Sequence, residues 1–135
     1  MSSECIFCKI VKGDIASYTL YEDNEIKVFL DINPVSRGHS LYIPKKHYET
    51  IDTIPADDMS FMRKLPVIVR KIKELTGATG VNIMQSNGKD AGQEIPHVHF
   101  HIIPRYPDDG LIRFPKQNKL DPNDANELIE KFKQL

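Results

Sequence analysis

The chain has 135 residues, of which 40% are hydrophobic and 27% are charged, and its formal net charge is −1. This balance predicts one globular domain over residues 1–135 with a hydrophobic core of its own. The near-neutral charge argues against nucleic acid or an anionic membrane as a partner, and no apolar run approaches the roughly 20 residues of a membrane span. The first four residues lack the basic and apolar segments of a signal peptide, so we expect a cytoplasmic protein.

The first half of the chain predicts one helical turn followed by three strands. Residues 6–12 are expected to form the turn, which Gly13 ends. Apolar and aromatic runs between turn residues then predict strands over Tyr18–Tyr21, Ile26–Asp31 and His39–Ile43. Residues 22–24 are expected to join the first two strands as a hairpin.

The second half predicts a long helix, two strands and a short helix. Apolar residues from Pro55 to Thr76 recur at alternating spacings of four and three, which is typical of an amphipathic helix, and Pro66 is expected to kink it. Strands are predicted over Val81–Gln85 and residues 97–103, with a polar loop between them. The last helix is expected to start at Asp121-Pro122 and to have a short apolar face: Leu128, Ile129, Phe132 and Leu135. This order predicts an α+β fold, a five-stranded antiparallel sheet with helices on one face, and an irregular to helical tail from about residue 106.

The strongest chemical signal is a row of three histidines in the fifth strand, His97-Val98-His99-Phe100-His101-Ile102-Ile103. Alternate side chains of a strand point to opposite faces, so the three imidazoles are expected on one face and the apolar residues on the other. Neighbouring histidines of the row would then lie roughly 6.8 Å apart, close enough to act on one ligand or substrate.

Two functional interpretations of the row compete with a chance run of polar residues on a half-exposed strand. Strand histidines can bind a catalytic zinc ion with one position left for water. Alternatively, one imidazole attacks phosphorus while its neighbours stabilise charge and transfer protons. The preceding loop, Ser86 through Gln93, favours the second interpretation because its glycines allow backbone N–H groups to approach phosphate oxygens closely.

Both cysteines of the chain lie in one motif, Cys5-Ile6-Phe7-Cys8. The pair can be half of a zinc site, a redox pair or two unrelated thiols. A redox pair is expected beside a βαβ unit, whereas hairpins follow here, and downstream histidines are available to complete a metal site. The motif therefore favours zinc.

The histidine row matches the signature of the histidine triad, or HIT, superfamily, in which three histidines alternate with apolar residues. Over roughly residues 5–105 the chain resembles the Hint-like branch of that superfamily. The other matching segments are Phe29 through Pro34, Gly38-His39, Ile43 through His47, Asn87 through Gln93, and Pro104-Arg105. The resemblance implies a HIT-like fold, in which one long helix and one or two short helices accompany a five-stranded antiparallel sheet.

The resemblance also implies a nucleotide-binding hydrolase or transferase that cleaves at the α-phosphorus of purine nucleoside phosphoramidates, dinucleoside polyphosphates or related conjugates. Catalysis would proceed through a nucleotidyl-histidine intermediate. His99 would be the nucleophile, with its far ring nitrogen donating to a backbone carbonyl near His97, and His101 would contact the phosphate and assist proton transfer. A nucleotide-binding or interaction protein with only incidental hydrolysis would have the same pocket and remains the alternative.

Further nucleotide contacts follow from the same resemblance. Asp31 would hold the ribose hydroxyls, since a carboxylate accepts two hydrogen bonds. The apolar slot for the base would be formed by Phe7, Ile10, Phe29, Ile32 and Leu41. The phosphate would be surrounded by His39, Asn87, Gly92 and Gln93. Three residues before the row, many Hint proteins have a serine or threonine that donates to the phosphate, whereas this chain has Glu94. A carboxylate repels a phosphate unless it points away or is protonated, so that donor role is not transferred to Glu94.

The resemblance supplies partners for the cysteines as well. Cys5, Cys8, His47 and His97 would bind a structural zinc ion in a closed tetrahedral site. HIT proteins of this branch are typically homodimers whose sheets join across a two-fold axis, and here the long helix and fourth strand would supply that surface.

Overall fold

An antiparallel sheet of five strands organises the molecule, with the spatial order β1-β2-β3-β5-β4. The computed structural model describes residues 4–111 and 115–135. The first three residues, on which part of the signal-peptide expectation rests, and residues 112–114 of the expected tail are not among them. The strands are β1 (Thr19–Glu22), β2 (Ile26–Leu30), β3 (Ser40–Pro44), β4 (Gly80–Met84) and β5 (Phe100–Arg105). The α-helices of the described residues are α1 (Ile6–Lys12), α2 (Leu65–Thr76) and α3 (Pro122–Lys133). The predicted α+β class and antiparallel sheet are confirmed.

The two faces of the sheet carry separate apolar clusters. On one face Val28, Tyr42 and Phe100 pack with Ile68 and Ile72 of α2. On the other face residues of α1 pack against the sheet, in a cluster of Cys5, Phe7, Cys8, Ile10, Phe29, Leu41 and Ile43. The prediction that the helices lie on one face is therefore wrong. A seven-residue helix offers too short a pattern to reveal which face of the sheet it covers.

Helix α1 is fixed at both ends. Its N-cap is Cys5, whose Sγ accepts a hydrogen bond from the backbone N–H of Cys8 at 3.4 Å. Its C-cap is Gly13, which adopts the left-handed conformation (φ 87°) that glycine accepts at little cost, as the sequence predicts. The buried amine of Lys27 on β2 donates to the carbonyl of Ile10 at 3.1 Å. These contacts hold both cysteines and Phe7 against the sheet.

The long helix predicted as one kinked element over Pro55–Thr76 is wrong in its first half. A 3₁₀ helix covers Ala56–Lys64, and the α-helix begins only at Leu65. Pro66 consequently lies in the first helical turn, where backbone N–H groups have no intrahelical acceptor, so it costs no hydrogen bond and produces no kink within α2.

The strand of the histidine row begins later than predicted. Regular pairing with β3 starts at Phe100, opposite Tyr42, although β3 itself continues to Pro44. Val98 donates its backbone N–H to the carbonyl of Tyr48 instead, at 2.8 Å. The alternation of side chains between the two faces of the sheet nevertheless extends back to residue 97, since Val98 joins Phe100 and Ile102 in the cluster beneath α2. The predicted bounds of the other strands agree with the structure to within one or two residues.

The C-terminal helix starts as predicted, with Asp121 as its N-cap accepting from Asn123 N–H at 2.9 Å. Its apolar face is exposed: Leu128, Ile129, Phe132 and Leu135. Among the described residues, no helix has the length and apolar character needed to span a bilayer.

Gly38 supports a stability prediction because its backbone φ is +89° and a Cβ there would lie 2.5 Å from Cγ2 of Thr76. Gly13 has a similar φ of +87° but open space around it. We expect Gly38→Ala to destabilise the fold by about 2–4 kcal/mol, from conformational strain plus overpacking, and Gly13→Ala by about 1 kcal/mol. Urea unfolding of the two variants measures the difference, and equal losses would contradict the predicted clash with α2.

Candidate active site and metal centre

The three histidines of the row lie on the face of the sheet that α1 covers. The ring of Phe7 packs edge-on against His97 and His99, at centroid distances of 5.8 and 5.1 Å. The rings of His99 and His101 are also 5.1 Å apart. The predicted one-sided arrangement of the imidazoles is confirmed, and the apolar helix α1 screens the first two from water.

His99 is held in one tautomer by the chain itself. Its Nδ1–H donates to the backbone carbonyl of His97 at 2.7 Å. In the neutral ring the other nitrogen, Nε2, then has a free lone pair. The hydrogen bond that the resemblance implies is thus present, and it leaves Nε2 as the ring nitrogen with the lone pair.

A second chain of hydrogen bonds fixes the tautomer of His101. The backbone N–H of Val35 donates to Nδ1 of His39 at 3.1 Å, so the ring proton of neutral His39 lies on Nε2. His39 Nε2–H in turn donates to His101 Nδ1 at 2.9 Å, which leaves the proton of neutral His101 on Nε2. The carbonyl of His97, as an acceptor, thus leaves a lone pair on His99 Nε2, and the N–H of His39, as a donor, leaves the proton of His101 on Nε2.

The surroundings of this pair keep His101 neutral. Burial, reinforced by the nearby His99 and His39, lowers the pKa of His101 to about 4. Burial also lowers the pKa of His39, although the carboxylate of Asp31 opposes that shift from 3.5 Å away. At neutral pH His101 can therefore donate a hydrogen bond as an uncharged imidazole.

A cavity of about 830 Å³ opens beside His99 and His101. Most of the residues proposed from the sequence to bind a nucleotide line it: Phe7, Ile10, Phe29, Asp31, Ile32, His39, Leu41, Gly92, His99 and His101. Apolar side chains make up most of the lining, and its polar groups include the histidines and the two acidic residues, Asp31 and Glu94. Asp31 accepts from Asn33 N–H at 2.8 Å through Oδ1, and its Oδ2 is 3.5 Å from His39.

Asn87 and Gln93 do not line this cavity. The Oδ1 of Asn87 accepts from the backbone N–H of Ile51 at 2.7 Å. The side-chain amide of Gln93 bridges the loop: Oε1 accepts from Gly88 N–H at 2.7 Å, and Nε2 donates to the carbonyl of Glu49 at the same distance. Both amides thus stabilise the loop before the row, and their contact with a phosphate stays a prediction.

Four potential metal ligands meet at the start of the row. The thiol sulfurs of Cys5 and Cys8 and one ring nitrogen each of His47 and His97 lie within 4.8 Å of one another. Cys5 Sγ is 3.4 Å from His97 Nδ1, Cys8 Sγ is 3.3 Å from His47 Nδ1, and the two Nδ1 atoms are 3.2 Å apart. A tetrahedral zinc ion with normal bond lengths separates such ligand atoms by about 3.3–3.8 Å. The four side chains therefore fit zinc.

The hydrogen bond of His97 and the burial of Cys8 also suit a metal. His97 Nε2–H donates to the carbonyl of Pro44 at 2.8 Å, which leaves the lone pair of Nδ1 pointing at the cysteines. Burial, together with the neighbouring Cys5, raises the pKa of the Cys8 thiol to about 11, so a cation is needed to hold a thiolate there at neutral pH.

This grouping disfavours a catalytic metal bound by all three histidines of the row. Among the described residues, His97 groups with the cysteines, whereas His101 groups with Asp31 and His39, and His99 belongs to neither set. The row thus spans two sites.

Comparison with known proteins decides the family. The model of the HIT domain matches residues 12–108 of the chain. The chain belongs to the HIT family. It is 45% identical over 131 residues to an uncharacterized HIT-like protein of Methanocaldococcus jannaschii, covering 96% of this chain and 98% of that protein. It is also 46% identical over 101 residues to the adenosine 5'-monophosphoramidase of Schizosaccharomyces pombe, covering 75% and 74% of the two chains.

A solved structure agrees with this HIT assignment. The crystal structure of a histidine triad nucleotide-binding protein from Candida albicans superposes with a TM-score of 0.85 at 36% identity, covering 97% of this chain and 96% of that one. The HIT-like fold predicted from the sequence is thus confirmed.

Several side chains of the HIT cavity were missed in the sequence. Ile15 and Tyr18, in the connection from α1 to β1, and Val35, before the third strand, line it. Met84 reaches it from β4, whereas Glu94, which lines it from the loop before the row, is already marked in the sequence by its departure from the Hint pattern. No local pattern marks the other positions, because irregular connections are brought together only by the tertiary fold.

Proposed function

We propose that this HIT protein is a nucleotidyl hydrolase or transferase that cleaves at the α-phosphorus of purine nucleoside phosphoramidates or related conjugates. The observation that carries the proposal is the hydrogen bond from His99 Nδ1–H to His97 O, which leaves Nε2 free at the wall of the cavity. A nucleophile that is already in its reactive tautomer needs no proton removed before it attacks.

The chemistry divides into two displacements at phosphorus. The lone pair of His99 Nε2 forms a bond to the α-phosphorus while the bond to the leaving group breaks. Water then attacks the same phosphorus, the bond to His99 breaks, and a nucleoside monophosphate leaves. Over both steps one water is consumed: a proton goes to the leaving nitrogen and the hydroxyl goes to phosphorus. The fixed Nε2–H of His101 is suited to stabilise the charge that develops on phosphoryl oxygens.

The rest of the cavity suits a nucleoside. An apolar slot between Phe7, Phe29 and Leu41 provides the surface on which a purine can stack, and Asp31 has carboxylate lone pairs for ribose hydroxyls. The names of the relatives support this assignment, since one is called an adenosine monophosphoramidase and one a nucleotide-binding protein.

A direct assay separates hydrolysis from binding alone. The protein is incubated with adenosine 5'-phosphoramidate, release of the monophosphate is measured by chromatography, and nucleotide affinity is measured by calorimetry. A rate of hydrolysis that saturates at substrate concentrations near the measured Kd supports an enzyme. Binding with no turnover above the uncatalysed rate, across phosphoramidates and dinucleoside polyphosphates, would instead support a nucleotide-binding or interaction protein.

We further propose that Cys5, Cys8, His47 and His97 hold a structural zinc ion. The ion would supply no open position for substrate, because four protein ligands complete a tetrahedron. These ligands come from α1, the segment after β3 and the start of the histidine row, so they would join three parts of the chain.

We also propose a homodimer formed through β4 and α2. Strand β4 is an edge strand, and its Ile83 and Met84 are exposed, as are Val67 and Leu75 of α2. An exposed apolar edge of this kind is typical of an interaction surface.

Sedimentation tests the dimer with a matched pair of variants. Ile83→Asp is expected to sediment as a monomer because it places a charge in the proposed apolar contact. Leu20→Asp, on exposed Leu20 of the opposite edge strand β1, is expected to remain a dimer like the wild type. A monomeric wild-type protein, or two variants that both stay dimeric, would contradict this interface.

A further inference from the structure

Glu94 lines the cavity that contains His99 and His101. The residue is exposed, and no hydrogen bond or ion pair within the described residues engages its side chain. It therefore differs from Asp31, the other carboxylate of the cavity, which already has Asn33 and His39 as neighbours. Within the described residues, Glu94 is thus the acidic residue of the cavity that no other side chain engages.

The backbone around Glu94 is held in place on both sides. The amide of Gln93 donates to the carbonyl of Ile95 at 3.0 Å and to that of Glu49 at 2.7 Å. Ile95 packs against the apolar cluster of α1. Because these contacts fix the backbone before and after it, Glu94 is held at the cavity wall.

The charge of the cavity is unusual for a phosphate site. Within the described part of the chain, its lining includes two carboxylates and three imidazoles but neither lysine nor arginine. Sites that bind polyphosphates normally offer arginine, lysine or a metal ion to several phosphate oxygens. A leaving group with two or more negative charges would meet no fixed cation here and would face the carboxylate of Glu94.

We propose that Glu94 selects the leaving group by charge, favouring an amine that carries a second, cationic group over anionic leaving groups such as polyphosphates. The proposal rests on the nucleotidyl transfer to His99 described above and specifies its substrate class. In the reaction, the P–N bond breaks, the leaving nitrogen keeps the electron pair and takes a proton derived from water, and phosphorus receives the hydroxyl. The distant ammonium of the leaving amine stays protonated throughout and interacts with Glu94.

Three adenosine 5'-phosphoramidates of similar length test this selection: those of cadaverine, pentylamine and aminovalerate, with a cationic, neutral and anionic end. For the wild type we expect kcat/KM of the cationic substrate to exceed that of the anionic one by about tenfold at low salt, and less at high salt. In Glu94→Gln the ratio of the two should fall toward one. The control Asp90→Asn, which changes an exposed carboxylate of the same loop outside the cavity, should keep the wild-type ratio.

The outcomes are distinguishable from those of the proposed function. Turnover of all three substrates with no charge preference, or with a preference that survives in Glu94→Gln, overturns the role of Glu94 and leaves the nucleotidyl hydrolase intact. Absence of turnover with every substrate overturns the hydrolase and the selection together.

Discussion

Replacing His99 with alanine is expected to lower kcat/KM for an adenosine phosphoramidate by at least about 10³-fold. In the proposed mechanism His99 Nε2 bonds to phosphorus, and no other imidazole of the row has a free lone pair at the cavity. Nε2 of neutral His101 carries a proton, and Nδ1 of His97 faces the cysteines. Steady-state kinetics with monophosphate release as the readout measures the loss.

A second substitution at the same position controls for structural damage. His99→Asn retains a side-chain N–H that can donate to the carbonyl of His97, but it has no nucleophilic nitrogen. We expect it to be as inactive as the alanine variant while unfolding near the wild-type temperature and still binding adenosine monophosphate. Substantial activity in His99→Asn would show that His99 is not the nucleophile.

Removal of a metal ligand is expected to have the second-largest effect, on stability. His47→Ala takes away the partly exposed ligand of the four, and we expect it to lose most of its zinc and about 10 °C in Tm. Zinc is measured by a colorimetric chelator after denaturation, and Tm by calorimetry. The wild type purified without chelator should contain one zinc ion per chain.

His101→Ala is the matched control for the metal site. It also removes an imidazole of this face, but from the hydrogen-bonded chain with His39. It should keep the zinc and lose turnover, whereas His47→Ala should lose zinc and Tm first. If His47→Ala kept a full equivalent of zinc, or if His101→Ala lost it, the assignment of ligands would be wrong.

The histidine row illustrates what the sequence can predict. A strict two-residue alternation determines which side chains share a face, so the common side of His97, His99 and His101 could be predicted without knowledge of the fold. The start of β5 at Phe100 could not be predicted, because it depends on a long-range contact in which the backbone N–H of Val98 donates to the carbonyl of Tyr48.

Other features depend on long-range packing that no short pattern records. The spacing of apolar residues from Phe61 to Leu75 is shared by a 3₁₀ segment followed by an α-helix and by one long helix, so the boundary at Leu65 was missed. The seven residues of α1 gave no sign that they cover the face opposite α2. Asn87 and Gln93 were expected near the phosphate, but their amides bind the loop backbone.

The central claim is that His99 is the nucleophile of the row, whereas His97 is a metal ligand and His101 contacts the phosphate. Trapping of the covalent intermediate tests this claim most directly. The protein is mixed with an adenosine phosphoramidate, quenched within milliseconds under conditions that preserve phosphohistidine, and digested for mass spectrometry. We predict an adenosine monophosphate adduct on His99 in the peptide that contains residues 97–103. An adduct on His97 or His101, or turnover with no adduct at any time point, would contradict the account.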